Sequence, residues 1–151
     1  MALTHRRKGF TGRVGPPAPD IVRSVPELIH TCCRVTELDR SIAFYEKLGM
    51  EEIRRVPIRD EAINVFMGLP GDGPRLELTY NIGRDEPYDI GTGYGHIAIT
   101  VTDIRAALER LAALGIEPER PPYSAHEGGS LLCFVRDPDG YRIEVIEAAT
   151  S

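Results

Sequence analysis

The sequence predicts an α+β fold of two βαβββ modules, each an open, curved sheet carrying one helix on its outer face. Three observations lead there. His30 precedes Glu77 by 47 residues, and His96 precedes Glu144 by 48. His30 to Gly49 and His96 to Gly115 are both steps of 19 residues. Within each step a strand-like apolar run precedes apolar residues at helical spacing, and three short strand-like runs follow the glycine. Spacing repeated in this way marks a duplicated structural unit.

With 151 residues, 42% of them hydrophobic and 27% charged, the chain can bury one good core. The formal charge of −5 offers no footprint for nucleic acid, and no apolar run approaches the roughly 18 residues that a membrane span needs. A small-molecule substrate is therefore expected. The first residues lack a secretory apolar stretch, and the three cysteines, with Cys32 and Cys33 adjacent, are an odd number. Both features predict a reduced, cytoplasmic setting. Residues 1–26 hold His5, Arg6, Arg7 and Lys8 and then Gly12, Gly15, Pro16, Pro17 and Pro19. With little periodic apolar content to offset ordering entropy, they read as a mobile tail. Residues 27–149 read as a single domain made of module 27–83 and module 94–149.

In the first module, residues 28–35 suit a buried strand. Thr36 is placed to cap a helix in which Leu38, Ile42, Tyr45 and Leu48 recur at helical spacing, and Gly49 supplies a left-handed stop. Strands are predicted at 50–57, 62–69 and 75–80, with Pro70-Gly71-Asp72-Gly73-Pro74 as the turn between the last two. The second module repeats the order. A strand at 95–101 leads to a helix capped by Thr102 or Asp103, with Ile104, Ala107, Leu108, Leu111 and Leu114 on one face and Gly115 at its end. Strands follow at 117–120, 129–136 and 141–147, the last two joined by Asp137-Pro138-Asp139-Gly140. One helix covers one face of a sheet, so the inner faces must pack on each other or on a second chain.

Strand parity sets the direction of the acidic side chains. In Leu76-Glu77-Leu78 and Ile143-Glu144-Val145 the apolar residues belong against the helix, so both carboxylates project to the concave face. His30 and His96, each on its module's first strand, face the same way. An uncompensated carboxylate in a half-closed sheet costs on the order of several kcal/mol, which a divalent cation offsets by coordination. Two imidazoles and two carboxylates without a thiolate make a mixed N/O octahedral set suited to nickel, cobalt, zinc or ferrous iron, with two positions open to water or substrate. Cys32 shares the face of His30 and is expected to line the core or pocket rather than to ligate, whereas Cys33 has the opposite parity.

Four stretches carry a family pattern. They are His30-Thr31-x-x-Arg34-Val35 with Ser41-Ile42-x-Phe44-Tyr45, then Leu76-Glu77-Leu78-Thr79-Tyr80-Asn81, then Gly91-Thr92-Gly93-Tyr94-Gly95-His96-Ile97-Ala98, and last Asp137-Pro138-Asp139-Gly140-Tyr141-x-Ile143-Glu144. Together they resemble glyoxalase I, the lactoylglutathione lyase family of the vicinal-oxygen-chelate superfamily, in its short bacterial form. The Asp-Pro-Asp-Gly turn indicates only the glyoxalase/bleomycin-resistance-like fold. Glu77 in its Leu-Thr-Tyr-Asn context and the Thr-Gly-Tyr-Gly-His run point to the lyase.

The resemblance implies that His30, Glu77, His96 and Glu144 bind one divalent metal per active site, nickel or cobalt by preference and zinc as an alternative. Thr92 matches the short form that favours nickel or cobalt. It also implies a homodimer with active sites at the interface, each drawing one His/Glu pair from each chain. Arg34 and Asn81 would hold the γ-glutamyl end of glutathione, since the Arg fork suits a carboxylate. The substrate would be the thiol hemithioacetal of methylglyoxal, isomerised through an enediolate with Glu144 as base and Glu77 opposite it. One departure is Glu127, which stands where bacterial relatives often carry Lys, and it keeps open a lyase for a different low-molecular-weight thiol. Methylmalonyl-CoA epimerase shares the fold and an enolate mechanism. A non-catalytic, antibiotic-binding protein on the same scaffold is the alternative outside enzymology.

Overall fold

Apolar side chains at alternate positions along six of the strands decide this architecture, because they force one face of each sheet against a helix. The computed structural model describes residues 27–149; the tail expected at 1–26 lies outside them. Element by element, the chain runs β1 (Thr31–Val35), α1 (Leu38–Lys47), β2 (Glu51–Ile58), β3 (Ala62–Gly68) and β4 (Leu76–Asn81). It continues with β5 (Ile97–Val101), α2 (Ile104–Ala113), β6 (Tyr123–Ser124), β7 (Leu131–Arg136) and β8 (Arg142–Glu147). The two four-stranded sheets have matching orders, β1-β4-β3-β2 and β5-β8-β7-β6. In each, the first strand lies parallel to the last and the remaining pairs are antiparallel. The predicted α+β class and the duplicated βαβββ order both stand.

Three expectations need correction. His30 and His96 precede β1 and β5 by one residue rather than lying on them. The β1 ladder begins at Thr31 opposite Leu76, where β4 itself starts just beyond the Pro74 turn, so residues 28–30 have no partner strand. Thr36 does not cap α1: the Glu37 carboxylate accepts from the amides of Asp39 and Arg40 instead. Residues 117–120 form no strand, and the edge strand of the second sheet is the two-residue β6 at Tyr123–Ser124. Pro118, Pro121 and Pro122 explain the shift, because proline cannot donate to a ladder.

Val65, Met67, Leu76 and Leu78 of the first sheet and Cys133, Val135, Ile143 and Val145 of the second are all but completely buried. They join Ile42, Tyr45 and Leu48 around α1 and Ile104 and Leu111 of α2 in a single apolar cluster. The modules therefore share a core although their sheets are separate. Asp103, the expected cap of α2, accepts from the Ala106 amide. Leu114, expected on the apolar face, is 43% exposed.

A polar latch supplements this packing. Asp139, in the β7–β8 turn, accepts from the Thr36 amide at 3.0 Å, from the Thr36 hydroxyl at 2.6 Å and from Ser41 Oγ at 3.2 Å. Its neighbour Asp137 accepts from the amides of Asp139 and Tyr141 and from the Tyr45 hydroxyl at 3.0 Å. Burial pushes the Asp137 carboxyl up, and the donors around it pull the other way. The Asp-Pro-Asp-Gly turn of one module thus seats the helix of the other. No helix among the described residues is long and apolar enough to cross a membrane.

Replacing Asp139 with Ala strands the Thr36 amide and hydroxyl at a part-buried junction and removes a second acceptor from Ser41. Urea unfolding of Asp139→Ala should therefore show a loss of about 2–4 kcal/mol, larger than that of an exposed acid such as Glu109→Ala.

Candidate metal centre

The concave faces carry two matched pairs. His30 Nε2 lies 2.8 Å from Glu77 Oε2, and His96 Nε2 lies 3.0 Å from Glu144 Oε2. Each carboxylate extends from the fourth strand of its sheet, flanked by residues buried against the helix side, as parity predicts. Each histidine sets its ring edge against a phenylalanine, Phe66 or Phe134, with centroids 5.3 Å apart in both cases. Phe66 is the cross-strand partner of Glu77, and Phe134 of Glu144. The two half-sites therefore agree in backbone, ring and donor placement.

Both pairs suit a divalent cation. Donors about 2.1 Å from one ion and at right angles around it stand about 3 Å apart, which is the spacing seen here. The carboxylate side chains are 14% exposed and the imidazoles 25% and 40%, so each pair opens to the concave side. His30 Nδ1 is buried without a hydrogen-bond partner, the one such side-chain atom among the described residues. That imidazole is therefore held on its polar side by Glu77 alone. Among the described residues no three His, Cys, Asp or Glu side chains gather to hold an ion.

The pairs differ in what stands beside them. Glu77 Oε1 accepts from Asn64 Nδ2 at 2.7 Å and from Thr79 Oγ1 at 2.9 Å. Asn64 and Thr79 are cross-strand partners, and the equivalent rung of the second sheet is Leu132 opposite Ile146. Sequence reasoning passed over Asn64; its signal was a polar residue two positions before Phe66 in an otherwise apolar strand.

Arg34 and Asn81 share the parity of His30 and Glu77 on β1 and β4, which puts them on the same face farther along the strands. Arg34 is exposed, and Asn81 Nδ2 donates to the hydroxyl of Tyr88 at 2.7 Å. Cys32 also lies on this face, its thiol 3.4 Å from Thr79 Oγ1, while Cys33 is buried in the core. Arg54 adds a further cation, 4.4 Å above the Phe66 ring. In the second sheet the cation over Phe134 is Arg142, which comes from β8 and is tied by two bonds to Glu119. Glu127 sits exposed in the loop before β7, and Thr92 is exposed before β5.

Residues 27–145 match the model of the Glyoxalase/Bleomycin resistance protein/Dioxygenase superfamily. A lactoylglutathione lyase from Salmonella typhimurium is 42% identical over 127 residues, which cover 80% of this chain and 92% of that protein. One from Haemophilus influenzae is 44% identical over 126 residues, with the same coverages. A lactoylglutathione lyase from Arabidopsis thaliana is 43% identical over 126 residues, and the chain spans only 43% of that protein's length. Among solved structures, glyoxalase I from Zea mays superposes with a TM-score of 0.73 at 38% identity, covering 82% of this chain and 45% of that one. The trypanothione-dependent glyoxalase I of Leishmania major superposes with a TM-score of 0.66 at 38% identity, covering 81% and 86%.

The three free cysteines differ in accessibility. Burial pushes the Cys33 thiol up to about 12 and also raises Cys133 and Cys32, although Cys32 alone of the three has an exposed residue surface. Iodoacetamide under native conditions should spare Cys33 and Cys133, and unfolding should release both, a pattern that peptide mass mapping would read.

Proposed function

Because the chain belongs to the Glyoxalase/Bleomycin resistance protein/Dioxygenase superfamily, and within it to the lactoylglutathione lyases, we propose that it isomerises the hemithioacetal of methylglyoxal and glutathione to S-lactoylglutathione. The observation that carries the proposal is the pair of matched His/Glu half-sites on uncovered sheet faces. A binding protein working by shape alone has no use for four metal-type donors in register.

His30, Glu77, His96 and Glu144 are assigned as the ligands of one divalent cation, nickel or cobalt by preference and zinc as an alternative. When bound, such a cation polarises the vicinal oxygens of the substrate and acidifies its carbon-bound proton. Glu144 takes the proton from the carbon that carries sulfur and delivers it to the neighbouring carbon, so the substrate leaves as a 2-hydroxyacyl thioester. Glu77 stands opposite as the second carboxylate. Arg34 and Asn81 are assigned to the γ-glutamyl end of the thiol, where the Arg fork meets a carboxylate in two parallel bonds. Phe66 and Phe134, packed on the histidines, present apolar ring surface that limits water beside the reacting carbons.

Since the described residues bring only two donors together at each place, a full site is assigned to a homodimer in which the first module of one chain faces the second module of its partner. The substrate reaches this interface from solution. Glu127, exposed in the loop before β7, favours one further reading, in which a different low-molecular-weight thiol is the cosubstrate.

The 240 nm thioester assay on metal-stripped, reconstituted protein is the direct test. Nickel or cobalt should restore turnover with glutathione and methylglyoxal, and Glu144→Gln should lower kcat at least ~100-fold, the scale of a lost general base. Sedimentation should give twice the 16.7 kDa chain mass. No turnover with any metal in protein that binds them would remove the glutathione lyase assignment and leave a lyase for another thiol or the epimerase.

A further inference from the structure

The duplicated modules supply an internal comparison: two half-sites with the same backbone register and the same His, Phe and Glu, but different neighbours. In the first, Glu77 Oε1 is held by Asn64 Nδ2 at 2.7 Å and Thr79 Oγ1 at 2.9 Å while Oε2 faces His30. In the second, Leu132 and Ile146 fill the matching rung, and among the described residues Glu144 has no polar contact within hydrogen-bond distance other than His96. Thr79 is itself braced, lying 3.2 Å from Asn64 Oδ1 and 3.4 Å from Cys32 Sγ. Turning the Glu77 carboxylate would break both donor bonds together, whereas the aliphatic rung in the second sheet makes no directional demand on Glu144.

We infer that Asn64 and Thr79 are positioning residues that hold the Glu77 carboxylate in the orientation a metal would need, a support that Glu144 lacks. The inference rests on the metal-dependent lyase proposed above. It adds a structural origin for unequal carboxylates in a site built from duplicated halves. Hydrogen bonds to a ligating carboxylate orient it and raise metal affinity, and their loss commonly lowers that affinity 10–100-fold, by about that factor for a pair of donors such as these. Leu132 and Ile146 donate nothing to Glu144, so the second half-site should be indifferent to their truncation.

Calorimetric titration of the metal-stripped full-length protein with nickel, together with the visible spectrum of the cobalt form, reads this directly. Asn64→Leu combined with Thr79→Val gives the first half-site an apolar rung like that of the second while keeping the branching of both side chains. Nickel affinity should fall roughly 10–100-fold and the cobalt band should shift, while Thr79→Ser, which keeps the hydroxyl, should bind as the unaltered protein does. Leu132→Ala should leave affinity unchanged. Should the double variant not fold by circular dichroism, Thr79→Val alone takes its place, with a smaller fall in the same direction. Equal affinities for the unaltered protein and the clamp variants would overturn the inference while leaving the lyase intact. An unaltered protein that binds neither nickel nor cobalt would overturn both.

Discussion

Strand parity is the constraint on which the rest of this molecule depends. Leu76 and Leu78, and likewise Ile143 and Val145, must be buried against the helix layer, and this leaves Glu77 and Glu144 no direction except the concave face. Slipping either strand by one residue would put an acid in the core and an apolar row in solvent, so the acids are held in place by the full burial energy of their neighbours. The carboxylate pointing outward on each sheet then meets a histidine from the segment just before the parallel neighbour strand. The two carboxylates are in this sense a consequence of core packing, whereas each histidine is delivered by the segment that leads into its strand.

The same constraint keeps each half-site incomplete. A helix on one face of each sheet leaves the other face open, and the shared core brings the modules together through their helix sides and the Asp139 latch rather than through their concave sides. The two His/Glu pairs consequently stay apart within one chain. Two copies that cover each other's open faces would bury the exposed sheet surface and complete two four-donor sites at once. Folding, association and ligand assembly would then be one linked process, with metal binding stabilising the dimer as well as the site.

Much of this was legible in the sequence, because the informative signals were periodic. Helix α1 declared itself through Leu38, Ile42 and Tyr45, and β4 and β8 through apolar residues alternating with Glu77 and Glu144. The errors fell where local chemistry competes. Thr36 looked like a cap, but its hydroxyl is claimed by Asp139 from 103 residues away, and Glu37 took the capping role. The strand expected at 117–120 yielded to three nearby prolines. The clamp on Glu77 was invisible for a different reason: Asn64 has meaning only when β3 is laid beside β4 in register, and no spacing along one strand reports that pairing.

Mixing two inactive variants tests the central claim, that each site takes one His/Glu pair from each of two chains. His30→Ala disables the first half-site and Glu144→Gln the second, and each homodimer should be dead. When the two are unfolded together and refolded with nickel, a mixed dimer should hold one fully intact site and one doubly damaged site. Random pairing then predicts recovery of about one quarter of the unaltered activity. A mixture that stays as inactive as its components, while sedimenting as mixed dimers, would contradict the account and require that each chain complete its own site.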